Sequence, residues 1–299
     1  MIKVYNRKKK DYEIEKVAGG GLLKALYGTW PGRLGLELLV KRKLYSSISG
    51  IYCDTRFSTR LIRKFIDGYG IDMSECADSV ESFKSFNSFF SRRMKPQARP
   101  FPEEPDKLLS PGDGRMFVWT DIDKQSLLQV KGFSYTMEEL LGDSELADLY
   151  NGGILVLLRL CPIDYHRFHF IDSGVCSEVR KIKGSYYSVN PVALKSIPRV
   201  FCRNKREISV FKSDNFGDIL YIEVGATSVG SIVQTYEPGI SLKRGAEKGY
   251  FKFGGSTVIL LLKKGAASID KDILRQTELG YETKVLAGEV IGEKNDTNI

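Results

Sequence analysis

The stretch Gly249-Tyr250-Phe251-Lys252-Phe253-Gly254-Gly255-Ser256-Thr257-Val258-Ile259-Leu260-Leu261-Leu262 holds two strand-like runs separated by a pair of glycines. Aromatic and β-branched residues open each run, and Gly254-Gly255 marks a bulge or a sharp bend between them. Residues 250–253 and 257–262 read as members of one sheet. The same short runs, punctuated by Gly, Asn, Asp or Pro, recur at 115–119, 154–160, 207–211, 219–225 and 231–236. Between them only 136–141 and 271–279 carry a helical pattern. This half of the chain is therefore expected to be mainly antiparallel β.

The N-terminal third reads differently. Residues 34–48 look helical but are apolar nearly all round. At about 100° per residue from Phe57, the side chains of Leu61, Ile62, Phe65, Ile66 and Tyr69 fall on one half of a helix, while Arg56, Arg60, Arg63 and Lys64 fall on the other. Such a two-faced basic helix suits an anionic bilayer interface or, equally, packing of its apolar face on the rest of the protein. Phe83, Phe86, Phe89 and Phe90 recur at helical spacing as a core stripe. Lys95-Pro96 and Arg99-Pro100-Phe101-Pro102 then break the chain, since each Pro removes a donor and disfavours helix before it. The expected organisation is α+β: a basic, helical N-terminal segment over 1–105 and a β-rich catalytic domain over 106–299.

Charge follows this division. Residues 1–70 carry 15 basic and six acidic side chains, a balance of +9, whereas the remainder carries 30 and 31. The net +8 thus resides in the helical quarter. An anionic surface is the natural partner there, and no motif for reading nucleic acid is present. No apolar run approaches the length of a membrane span, and Lys8-Lys9-Lys10 leads into no apolar signal core. Five cysteines, odd in number and without a C-x-x-C pair, suit a reducing compartment.

Both histidines lie in Tyr165-His166-Arg167-Phe168-His169, so chemistry that needs a proton carrier near neutral pH falls here. An extended backbone sends the two rings to opposite faces, and a turn brings them together; both geometries are open. Cys161, His166, His169 and Cys176 are of metal-ligand type, but their spacing matches no common metal pattern, and no metal is expected. Ser110-Pro111-Gly112-Asp113-Gly114 is a tight turn in which Asp113 either bonds its own backbone or orients an imidazole. Ser256 follows two side-chain-free residues. Attack of its Oγ on the Gly255 carbonyl would turn that peptide into an ester; the bland alternative is a glycine bulge with a surface serine.

Taken together, these segments resemble the phosphatidylserine decarboxylase family. The matching pieces are Phe86-Asn87-Ser88-Phe89-Phe90-Ser91-Arg92-Arg93-Met94-Lys95-Pro96 with Arg99-Pro100, then Ser110-Pro111-Gly112-Asp113-Gly114, Tyr165-His166-Arg167-Phe168-His169, and the Lys248-to-Ile259 stretch through Gly255-Ser256-Thr257. They occur in the family's order over roughly 80–265. Two positions depart from the commonest form: Gly112 stands where Ala is frequent, and Gly254 where Leu is frequent.

The resemblance implies self-cleavage between Gly255 and Ser256, with Ser256 as nucleophile, His169 as its base and Asp113 orienting that base. It further implies a covalent pyruvoyl cofactor made from Ser256, which forms a Schiff base with phosphatidylserine and acts as electron sink for loss of carbon dioxide. His166 is expected to position or supply the proton that replaces the carboxylate. The implied assembly is a large chain, 1–255, and a small chain, 256–299, held together without a covalent bond and paired as a dimer. Its implied place is the cytoplasmic face of the cell membrane. Rival readings are a serine hydrolase using Ser256, His169 and Asp113 on an external substrate, which lacks a G-x-S-x-G elbow here, a pyruvoyl enzyme acting on a soluble amino acid, and a noncatalytic membrane-binding family member.

Overall fold

The computed structural model describes residues 2–15, 50–129, 133–226, 232–254 and 256–295. The helix expected over 34–48 and the residue Gly255 lie outside them. Among the described residues, eleven strands form one large, mainly antiparallel sheet with Ser256–Leu262 near its middle. That strand lies between Gly217–Gly225 and Ile154–Leu160, antiparallel to both, with Ser256 opposite Gly225 on one side and Leu160 on the other.

All seven side chains of Ser256–Leu262 are buried. The sheet is covered on both faces, which removes the usual polar alternation. Val258, Leu260 and Leu262 face one apolar layer with Phe168, Phe170 and Phe211. Ile259 and Leu261 face the opposite layer, built with Leu140, Leu141 and Phe201 from short helices. Each fully buried aliphatic side chain contributes roughly 1.5–3 kcal/mol, so this strand is a principal anchor of the fold.

The architecture is α+β. Two boundaries differ from the sequence reading. Residues 250–253 do not join the same sheet as 257–262: Glu247–Phe251 pairs with Ile232–Gln234 and Arg167–His169 in a separate three-stranded sheet. Gly254, with φ of 140°, lies where the chain passes from one sheet to the other, in a backbone region that side chains disfavour. Residues near the N-terminus are not helical: Lys3–Asn6 and Asp11–Ile14 form a hairpin, and Lys3–Asn6 runs parallel to Glu282–Val285 at the edge of the large sheet. Here the buried Val4 and Asn6 alternate with outward side chains, the period of a strand.

The basic helix takes the second of the two roles open to it, packing on the protein. A turn at Arg56–Thr59 leads into Arg60–Tyr69, whose Ile62, with Leu61, Phe65 and Ile66, packs on Phe83, Phe86, Phe89 and Phe90. The apolar face is thus occupied within the protein and is not free to lie in a bilayer. Arg56, Arg60, Arg63 and Lys64 remain exposed, together with Ile51 and with Phe57, which is 77% exposed. Among the described residues no helix is long and apolar enough to cross a membrane.

Candidate active site

Ser256 opens the central strand and is fully buried. Its Oγ donates to His166 Nδ1 at 3.3 Å, while His166 Nε2 donates to the Cys161 carbonyl at 2.9 Å. A carbonyl only accepts, so Nε2 carries the proton and Nδ1 presents its lone pair to the serine. The ring stacks on Phe90 with centroids 4.0 Å apart. Burial pushes the His166 imidazole down to about 3, keeping it neutral at physiological pH.

The turn that aims His166 is fixed from a distant strand. Asp164 accepts from Cys161 N at 2.7 Å and pairs with Arg115 of the Gly114–Thr120 strand. Arg115 also faces Glu15, which pairs with Arg159, and Arg159 pairs in turn with Glu282. This buried chain of alternating charges joins the N-terminal hairpin, the histidine turn and the C-terminal region.

His169 lies at the end of Arg167–His169, with both ring nitrogens engaged elsewhere. Nδ1 donates to the Gly245 carbonyl at 2.9 Å, and Nε2 accepts from the Tyr165 hydroxyl at 3.1 Å. Burial lowers its proton affinity too, and the nearby charges of Glu247 and Asp113 partly oppose that effect. Asp113 receives two hydrogen bonds from Arg99, at 2.7 and 2.6 Å, and one from Ala287 N at 2.9 Å. The Asp113 turn and His169 meet through the backbone, where His169 N donates to Pro111 O at 2.8 Å. Among the described residues no hydrogen bond joins Asp113 to His169 or His169 to Ser256. The imidazole on the serine is His166.

The Asp113 turn has a steric reason for its second glycine. A Cβ on Gly114 would come within 2.7 Å of the Arg159 carbonyl and of Leu158, whereas one on Gly112 would make ordinary contacts at 3.4 Å and beyond. An alanine at position 112 would therefore fit, and Gly112 leaves the turn undisturbed.

Several neighbours carried no assigned role in the sequence. Asn87 accepts from Phe253 N at 2.7 Å and donates to Asp54 at 3.0 Å, and Lys252 pairs with Asp54 at 2.9 Å. Phe253 packs edge-on against Phe86 and Phe90. The helical part thereby grips the segment just before the glycine pair. Arg99, Asn87 and Phe90 all lie in the stretch 86–100, where aromatic spacing marked core but nothing local marked contact with a histidine 76 residues on.

Ser256 could be converted in place: it begins a strand held on both sides, beside a neutral imidazole that stacks on Phe90. A pyruvoyl group made from Ser256 would stand at the head of this strand, its ketone oxygen in place of the serine nitrogen, beside His166.

Comparison with known proteins adds the following. A family description, phosphatidylserine decarboxylase, matches residues 86–293. The chain is 62% identical over 292 residues to a phosphatidylserine decarboxylase proenzyme of Ruminiclostridium cellulolyticum, covering 98% of this chain and 97% of that one. It is 54% identical to the protein of that name from Clostridium botulinum and 52% identical to that from Clostridium perfringens, covering 98% of this chain and 100% of each relative.

Proposed function

The chain belongs to the phosphatidylserine decarboxylase family, and on that premise we propose that it releases carbon dioxide from the serine headgroup of phosphatidylserine at a centre made from its own Ser256. The observation that carries this reading is the buried Ser256 hydroxyl on the neutral His166 nitrogen at 3.3 Å, two residues beyond Gly254, where the chain changes sheets. Burial of Ser256 also disfavours a hydrolase acting on an external polymer.

In processing, Ser256 Oγ attacks the Gly255 carbonyl, its proton passes to an imidazole, and the peptide nitrogen leaves as an amine while an ester forms. Removal of the Ser256 α-proton then breaks the Cβ–Oγ bond. Gly255 departs as the carboxyl terminus of chain 1–255, and the dehydroalanine at 256 takes up water and loses ammonia to become the pyruvoyl terminus of chain 256–299. That group supplies an electron sink for the pair released with carbon dioxide.

The imidazoles divide the proton work. His169, oriented by Asp113, serves processing, and His166 positions or supplies the proton for the carbon that has lost its carboxylate. The relay requires Asp113 to turn from Arg99, and His169 from Tyr165. A second reading, favoured by the 3.3 Å contact, gives the processing proton to His166 as well. Denaturing gels of Ser256→Ala, His169→Ala, Asp113→Asn and His166→Ala separate these. Ser256→Ala is expected to stay whole and inactive, and His169→Ala and Asp113→Asn to remain mostly whole. Normal cleavage of His169→Ala with none in His166→Ala selects the second reading, and a wild-type chain that never divides refutes self-processing.

The working unit is a pair of two-chain protomers on the anionic cytoplasmic face of the cell membrane. Exposed Arg56, Arg60, Arg63 and Lys64 beside exposed Ile51 and Phe57 support the docking face; the pairing rests on the family resemblance and is read by light scattering of the detergent-solubilised enzyme.

A further inference from the structure

A cavity of about 820 Å³ opens between the end of the basic helix and the large sheet, lined among others by Tyr69, Ile71, Arg92, Arg99, Asp113 and Tyr165. Its volume suits a lipid headgroup and the start of its glycerol. Most charges on its wall are paired. Asp113 and Glu75 hold Arg99, and Asp270, Asp272 and Glu289 surround Arg7.

Arg92 is different. It is 3% exposed, and no carboxylate lies within ion-pair distance of it among the described residues. Only Nη2 is engaged, donating to the Ile163 and Asp164 carbonyls at 3.2 and 3.4 Å, while Nε and Nη1 have no partner. The Phe89 ring faces the guanidinium. Arg206 shows how this protein otherwise settles a buried guanidinium without a carboxylate: the carbonyls of Leu140, Cys202, Asn204 and Glu139 receive its donors. A buried cation with two idle donors on a cavity wall carries a desolvation cost that a bound anion would offset. Through the Ile163 and Asp164 carbonyls Arg92 also touches the turn that carries His166, and its charge opposes protonation of that ring.

We propose that Arg92 is the anchor for the phosphodiester of the lipid headgroup. The headgroup offers two anions, a phosphodiester and a carboxylate, and the chemistry distinguishes them. A cation on the carboxylate would stabilise the ground state of a group that must leave as neutral carbon dioxide, raising the barrier. The phosphodiester keeps its charge from substrate to product, so the permanent charge of a guanidinium suits it in both states. This inference rests on decarboxylation of the lipid at Ser256.

The test uses processed enzyme. Arg92→Gln and Arg92→Lys are compared with wild type for KM and kcat on phosphatidylserine vesicles and for inhibition by glycerophosphoethanolamine, which has the phosphodiester but no carboxylate. Arg92→Gln is expected to raise KM and the inhibition constant together by tenfold or more, Arg92→Lys by less, with kcat within threefold and normal cleavage on a gel. An unchanged inhibition constant overturns the proposal, and a raised KM with unchanged inhibition moves Arg92 to the carboxylate. Wild-type enzyme supplies a readout free of mutation: peptide mapping after phenylglyoxal treatment should show Arg92 modified, and glycerophosphoethanolamine should protect it. Absence of modification or of protection overturns the proposal even where the variants do not fold. An uncleaved wild-type chain would instead locate the failure in the Ser256 reading.

Discussion

Two buried imidazoles set the pH behaviour of this centre. Both hold protons less firmly than the ordinary histidine value of about 6.5, His166 titrating near 3 and His169 lowered by burial. Between pH 6.5 and about 3 the unfolded chain takes up a proton on His166 that the folded chain refuses, so stability falls as pH drops through that window. Reactivity follows the neutral form. The rate of self-cleavage, followed on gels from pH 7.5 downward with circular dichroism to confirm folding, is expected to have its midpoint below 6.5; a midpoint at or above 6.5 assigns the step to neither buried ring. Arg99 and Asp113 form a buried pair, and truncating one partner strands the other. In a Ser256→Ala background, Arg99→Ala should cost roughly 3–5 kcal/mol in urea unfolding. Of these features, the histidine pair and the serine were legible as residues. That His166 rather than His169 meets Ser256 was not, because the ring is aimed by a turn pinned to Arg115, some 50 positions earlier, and no local spacing encodes that contact.

At the level of elements, the long buried strands were legible, as at Ile154–Leu160, because β-branched and aliphatic runs end at turn residues, whereas short strands such as Lys3–Asn6 and Glu282–Val285 were not. Sheet membership was not. Nothing in residues 247–262 records that the chain changes sheets at Gly254, since both halves bury apolar side chains. Helices of four to six residues, such as Ser144–Leu149, are too short to display a period. The Arg60–Tyr69 helix shows the limit of an amphipathic pattern: its moment reports a buried face without saying what buries it. With that face on Phe86 and Phe89, attraction to lipid is left to the cations and the exposed Phe57. Changing Arg56, Arg60, Arg63 and Lys64 to Glu should lower partitioning onto vesicles rich in phosphatidylserine by roughly a hundredfold or more at low salt, at about 1 kcal/mol per basic residue. Sedimentation of vesicles measures it, and equal partitioning removes the helix from docking.

Across the whole molecule, the proposed cut falls between a segment gripped by the helical part and a strand embedded in the large sheet. The small chain contributes Ser256–Leu262 between two strands of the large chain, and Glu282–Val285 between Gly114–Thr120 and Lys3–Asn6. The pieces should therefore travel together through gel filtration and separate only on denaturation. Before cleavage that insertion is an intramolecular event, helped by an effective concentration of order millimolar for a short connection. Afterwards it is an encounter between two molecules. Recovery of native circular dichroism after dilution from urea is expected to be independent of concentration for Ser256→Ala and to fall with dilution for the divided enzyme; matching curves would refute the interleaved assembly. The connection through Gly254 thus behaves as disposable scaffolding. On the proposed cleavage it guides a strand into the middle of a sheet, is severed in making the reactive group, and leaves two pieces whose reassembly is expected to depend on concentration. The working life of the divided enzyme is then expected to follow how slowly its central strand comes loose.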